Sequence, residues 1–148
     1  GPTALVLSRQ DIEVVTDGSA VSRGAGIVRD PGDPDVVLVS TGSEVALCVA
    51  AAEALDAQGV AVRVVSIPSW DRFDEQGDEY YDSVLPAEVP TMAVEAGVAL
   101  GWHRYADDVI SIERFGASAP GNVALDRLGM NVDHVVARVS DLLAMLAD

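Results

Sequence analysis

The strongest constraint on the fold lies between Val36 and Val65. Val36-Val37-Leu38-Val39 is an unbroken apolar run bounded by turn residues, the mark of a strand covered on both faces. Thr41-Gly42-Ser43-Glu44 follows at once, with Thr41 and Glu44 at the spacing of a capping box for the helix it opens. That helix is expected to run to Gln58 and to stop at Gly59, with Leu47, Ala51 and Leu55 as its apolar stripe and Val45, Val49 and Ala52 widening it. Val60 to Val65 reads as the next strand. A strand, a helix and a second strand in so short a space make a βαβ unit, whose crossover should be right-handed.

The rest of the chain continues the alternation. Thr91-Met92-Ala93-Val94-Glu95 and Val109-Ile110-Ser111-Ile112 read as strands, and Gly26-Ile27-Val28 as a further short one. Ala4-Leu5-Val6-Leu7 is strand-like too. The dense turn signal Asp30-Pro31-Gly32-Asp33-Pro34 separates a leading arm from the body. Between Pro68 and Pro86 a polar, aromatic stretch is expected to form a loop and a short helix near Asp78–Leu85. Ala124–Leu128 suggests another short helix, ended by Gly129. Val132, Val135, Val136, Val139, Leu142, Leu143 and Leu146 keep helical spacing to the end of the chain, opposite Asp133, Arg138 and Asp141. These elements point to a three-layer α/β sandwich with a largely parallel sheet.

Composition narrows the function. With 49% hydrophobic and 22% charged residues, the chain has the makeup of a folded globular domain. A net charge of -15 and scattered basic residues argue against a nucleic-acid partner, which demands clustered Lys and Arg. No apolar run approaches the roughly 20 residues that span a bilayer, so no membrane role is expected. The single Cys48 has no partner for an internal disulfide, which suggests a reducing, cytoplasmic setting. Gly1-Pro2-Thr3 carries neither an initiator Met nor a basic leader, and a piece of a longer protein is expected.

The residues offer few chemical groupings. His103, His134 and Cys48 lack zinc-like spacing. His134 falls beside the polar face of the last helix and is expected to be solvated, while Cys48 reads as a small core residue. His103 sits in the mixed aromatic and basic stretch Gly101-Trp102-His103-Arg104-Tyr105, where contact with a ligand or partner is the sharper alternative to a plain surface role. Ser43 resembles a nucleophile elbow, but Val45 stands where the final glycine is required. The Gly42 turn could hold an anion at a helix N-terminus, although Glu44 would repel it. Asp71, Asp74, Glu75, Asp78 and Glu79 crowd one loop and read as a solvated face. Gly116-Ala117-Ser118-Ala119-Pro120-Gly121 reads as a packing loop or turn. Arg9 follows a strand-like run, where an arginine can clamp a phosphate or simply pair with a local carboxylate.

Several phrases occur in an order similar to that at the C-terminal end of transketolases. Gly1-Pro2-Thr3-Ala4-Leu5-Val6-Leu7-Ser8-Arg9-Gln10 resembles the close of that family's pyrimidine-binding domain. Val39-Ser40-Thr41-Gly42-Ser43-Glu44-Val45 resembles the turn that opens its C-terminal domain. Pro68-Ser69-Trp70, Phe73-Asp74, Tyr81 to Pro86, Val94-Glu95-Ala96-Gly97, Phe115 to Pro120 and Asp133-His134-Val135-Val136 continue the likeness. It covers nearly the whole chain and is weakest from Asp11 to Arg23.

The resemblance implies an α/β/α sandwich with a mostly parallel, mixed sheet of about five strands. It divides the chain into residues 1–23, the tail of the preceding domain and a linker, and residues 24–148, the C-terminal domain. It further implies an enzyme that moves a two-carbon ketol unit between sugar phosphates, in the pentose phosphate pathway, as a cytoplasmic homodimer. Thiamine diphosphate and Mg2+ or Ca2+ would be held by the remainder of the enzyme chain, because the family's cofactor motifs are not among these residues. In that reading Arg9 helps to hold the substrate phosphate, this chain supplies no catalytic, cofactor-binding or metal residue, and alone it is inactive. Two alternatives stay open. One is the corresponding domain of a deoxyxylulose-phosphate synthase or 2-oxoacid dehydrogenase; the other is a stand-alone domain with a small ligand at Thr41–Glu44.

Overall fold

A computed structural model describes residues 2, 4–7 and 10–147. Five strands form one sheet: β1 (Gly26–Arg29), β2 (Val36–Ser40), β3 (Val62–Ser66), β4 (Thr91–Val94) and β5 (Asp108–Ile110), in the spatial order β1-β3-β2-β4-β5. Strands β3, β2, β4 and β5 run parallel, and β1 closes one edge antiparallel to β3. The sheet is therefore mixed and mostly parallel, as expected.

Its helices are α1 (Glu44–Asp56), α2 (Trp70–Asp74), α3 (Asp78–Val84), α4 (Gly121–Arg127) and α5 (Val132–Ala147). Side chains alternate across a strand, so the apolar run of β2 feeds two separate cores. Val36 and Leu38 join Val62, Val64, Met92 and Ile110 beneath α1 and α5, where Cys48, Ala51, Leu55, Val135, Val139 and Leu142 are buried. Val37 and Val39 face the other way, with Val65, Ala93 and Val109, toward Phe73, Val84, Trp102 and Tyr105. One core on each face of the sheet makes the sandwich three-layered. Burial of β2 is complete along its length, which is why its sequence lacks the alternation of a half-exposed strand.

Several expectations need correction. Residues 4–7 form no strand, and Leu5, Val6 and Leu7 stand 80%, 96% and 81% exposed. A β-prone run needs a neighbour to bond with, and the described residues give it none. The capping box does not form either. Gly42 turns left-handed at φ +61°, the helix starts only at Glu44 with Ser43 as its N-cap, and no side chain caps its first amides. Ser43 instead donates its hydroxyl to Glu44 Oε1 at 2.7 Å. An additional short helix, α2, stands at Trp70–Asp74 within the stretch read mainly as loop. At the end of α5 the expected apolar stripe frays into solvent, with Leu146 exposed.

Candidate functional site

In open α/β sheets, ligands settle outside the carboxyl ends of the strands, where the strand order reverses. Here the reversal lies at β2, since the chain passes from β2 to β3 on one side and later returns to β4 on the other. The crevice is bounded by Thr41–Glu44 after β2 and by Glu95–Gly97 after β4.

Two carboxylates dominate this edge. Burial pushes the Glu44 carboxyl above the usual carboxylate range; the Ser43 hydroxyl bond opposes that rise, and the negative charge of Glu95 adds to it. Glu95 accepts from the Gly97 amide at 2.8 Å and from the Trp102 indole N–H at 3.1 Å. Negative charge at the first turn of α1 repels an anion, so this helix N-terminus lacks the character of a phosphate site. The leading arm also comes close: Ile12, Glu13, Val14, Val15 and Thr16 line a hollow of about 280 Å³ with Gly42, Val45 and Ser66. The usual ligand edge is thus acidic and partly flanked by the chain's own arm.

The residues singled out in sequence do not converge. Arg9 lies outside the described residues. Cys48 is fully buried in the α1 core, and burial drives its thiol up to about 12. His134 is not the solvated residue expected. Its Nδ1 lies 2.8 Å from the Gly129 carbonyl and its backbone N–H donates to Asn131 Oδ1, so the ring closes the α4–α5 turn. A Cβ on Gly129, at φ +86°, would sit 2.9 Å from that ring. His103 is exposed on a 3-10 turn (Trp102–Arg104) at the rim of a hollow of about 270 Å³ that also meets Tyr81, Asp82, Thr91 and Asp107.

The acidic loop is solvated as expected, except for Asp74. That carboxylate pairs with Arg104 at 2.8 Å and accepts the Tyr105 hydroxyl at 2.9 Å. Burial, and then the Asp74 bond, hold the Tyr105 phenol well above its ordinary value. The aromatic residues of Pro68–Pro86 turn out to be a packing device. Trp70 meets Trp102 edge-on at 5.2 Å, and Phe73 stacks on Tyr81 at 4.8 Å. Among the described residues no three His, Cys, Asp or Glu side chains are grouped to hold a metal ion. The donors among these residues do not fit a metal–diphosphate group. No helix among them is long and apolar enough to cross a membrane.

The fold is a mixed three-layer α/β domain whose usual ligand edge is acidic and flanked by the leading arm. The family described as transketolase-like TK C-terminal domain matches residues 24–131. The transketolase of Nostoc sp. is 48% identical over 149 residues, covering 96% of this chain and 22% of that protein. Transketolase 1 of Escherichia coli is 44% identical over 152 residues, covering 97% and 23%. Among solved structures, transketolase from Leishmania mexicana superposes with a TM-score of 0.85 at 41% identity, over 90% of this chain and 20% of that one. A Pichia stipitis transketolase complex with sedoheptulose 7-phosphate gives 0.86 at 32% identity, over 91% and 20%. The chain belongs to the transketolase-like C-terminal domain family, and it spans less than a quarter of the curated relatives it matches.

Proposed function

We propose that this chain serves as the C-terminal part of a transketolase, an enzyme transferring a two-carbon ketol unit between sugar phosphates. The observation that carries the reading is the 44–48% identity to transketolases along 96–97% of the chain. Support also comes from the relative solved with sedoheptulose 7-phosphate. Thiamine diphosphate with Mg2+ or Ca2+ would be held by residues of the enzyme outside this chain, in a cytoplasmic homodimer of the pentose phosphate pathway. Residues 24–148 form the C-terminal domain in this reading, and residues 1–23 are the tail of the domain before it and a linker. The role of residues 24–148 is architectural: two cores and an arm-flanked edge make a rigid body for the rest of the enzyme to pack on.

Arg9 is the one residue that reaches the chemistry in this proposal, holding the phosphate of the sugar substrate through charge-assisted bonds. The test is Arg9→Ala in the intact enzyme. Loss of one such contact costs about 1.5–3 kcal/mol, so KM for phosphorylated sugars should rise about tenfold to a hundredfold, with a much smaller change for unphosphorylated ones. Equal losses for both kinds of substrate would remove Arg9 from the phosphate site.

A further inference from the structure

All nine basic residues of the chain are arginines, set against 24 carboxylates. With so many acids at hand, an arginine left without a partner is informative. Four of the described arginines are in ion pairs: Arg29 with Asp56, Arg63 with Asp30, Arg104 with Asp74 and Arg138 with Asp108. Arg23 lies over the Tyr80 ring at 4.6 Å, and Arg72 donates to the Ser22 carbonyl at 3.3 Å. Arg114 and Arg127 alone, among the described residues, have no carboxylate, carbonyl or ring partner.

These two arginines line the same hollow. It lies between the segment that follows β5 and the end of α4, has a volume of about 290 Å³, and is completed by Ser111, Ile112, Glu113 and Leu128. The carboxylates next to them in sequence bond to other groups. Glu113 accepts from the Ala99 amide and the Ser111 hydroxyl, each at 2.7 Å, and these bonds hold its carboxyl below the usual range. Asp126 accepts from Asn131 Nδ2 at 3.0 Å. Each arginine thus has an acidic neighbour in the chain and no ion pair with it.

We propose that Arg114 and Arg127 form a binding site for a small oxyanion of the phosphate class. Guanidinium groups are weakly hydrated and present planar forks of donors that match the oxygens of a phosphate. The hollow is near the lower end of the roughly 300–1,000 Å³ usual for small-molecule sites, which suits a phosphate group with a small organic body. Glu113 also lines the hollow and keeps its negative charge, which weakens the attraction of the two arginines for any anion, so binding in the millimolar range is expected. The site is independent of Arg9 and of the ketol-transfer reading.

The experiment uses the 148-residue chain, with inorganic phosphate as the probe at low ionic strength and arginine Nε–Hε resonances as the readout. Saturable shifts should appear at Arg114 and Arg127 together, and chloride at equal ionic strength should not reproduce them. Arg114→Gln and Arg127→Gln should each weaken binding about tenfold or more, the size of one charge-assisted contact. Arg72→Gln should leave binding unchanged. Both arginines of the site are exposed, so the substitutions spare the fold, and circular dichroism verifies this. Repetition with glycerol phosphate separates the sources: tighter binding than phosphate marks an ester as the ligand, and equal binding marks the free anion. Absence of saturable binding in the millimolar range overturns the proposal, as does an equal loss in Arg72→Gln.

Discussion

Gly24 and Gly59 have the same backbone angle, φ +85°, in opposite surroundings. At Gly59, where α1 gives way to β3, an added Cβ meets nothing within 4 Å. At Gly24 it would lie 2.3 Å from the Phe73 amide nitrogen, 2.4 Å from the Ser69 carbonyl oxygen and 2.7 Å from Arg72 Cβ. Two of these atoms are backbone of α2 and its approach, and they cannot rotate away. Gly59→Ala should therefore cost only the left-handed strain, roughly 1–2 kcal/mol. Gly24→Ala should add an overpacking penalty of about 1–3 kcal/mol, for a total of about 2–5 kcal/mol. The assay is urea unfolding followed by the fluorescence of Trp70 and Trp102, both packed close to this contact. Thermal midpoints should fall by roughly 2–4 °C per kcal/mol for a domain of this size. Equal losses in the two variants, within about 0.5 kcal/mol, would mean that the entry to β1 does not seat against α2 as described.

Two further outcomes follow from titrating groups. Because the Glu44 carboxyl is raised above its ordinary 4.5, the folded chain holds that proton more tightly than the unfolded one. The associated stability is present below about pH 4.5 and is lost as pH rises through the folded value. Glu44→Gln should accordingly be more stable than the parent at pH 7, with the gap closing in acid; a gap that widens in acid would reverse the sign. Cys48, with its thiol raised from 9.0 to about 12, should resist a disulfide reagent at pH 8 in the folded chain and react at once in denaturant. Rapid labelling without unfolding would show that α1 does not cover it.

The central βαβ unit was legible because its signals agree. The apolar run of β2 has no alternation to misread, and Gly59 closes α1 where the left-handed turn requires it. Elements that depend on neighbours were harder to read. Ala4–Leu7 has the composition of a strand, yet pairing is a property of two segments. The Thr41–Glu44 spacing fits a capping box, but Gly42 spends those residues on a left-handed turn before the helix begins. Trp70–Asp74 is five residues long, too short for a 3.6-residue period to show. His134 falls beside the polar face of the last helix, and that spacing is blind to a bond back to Gly129. The role proposed for Arg9 came from family resemblance, since a lone arginine carries no spacing of its own. Arg114 and Arg127 gave no signal in sequence because only the fold brings the segment after β5 beside the end of α4.

The most direct test of the central reading replaces the matching segment of Escherichia coli transketolase 1, which is 44% identical over 152 residues, with this chain. Ketol transfer between sugar phosphates is then measured in the chimaera. The account predicts a folded enzyme with activity within about tenfold of the parent, a barrier change of at most about 1.4 kcal/mol. A chimaera that folds and binds thiamine diphosphate as the parent does, yet transfers no ketol unit, would contradict it.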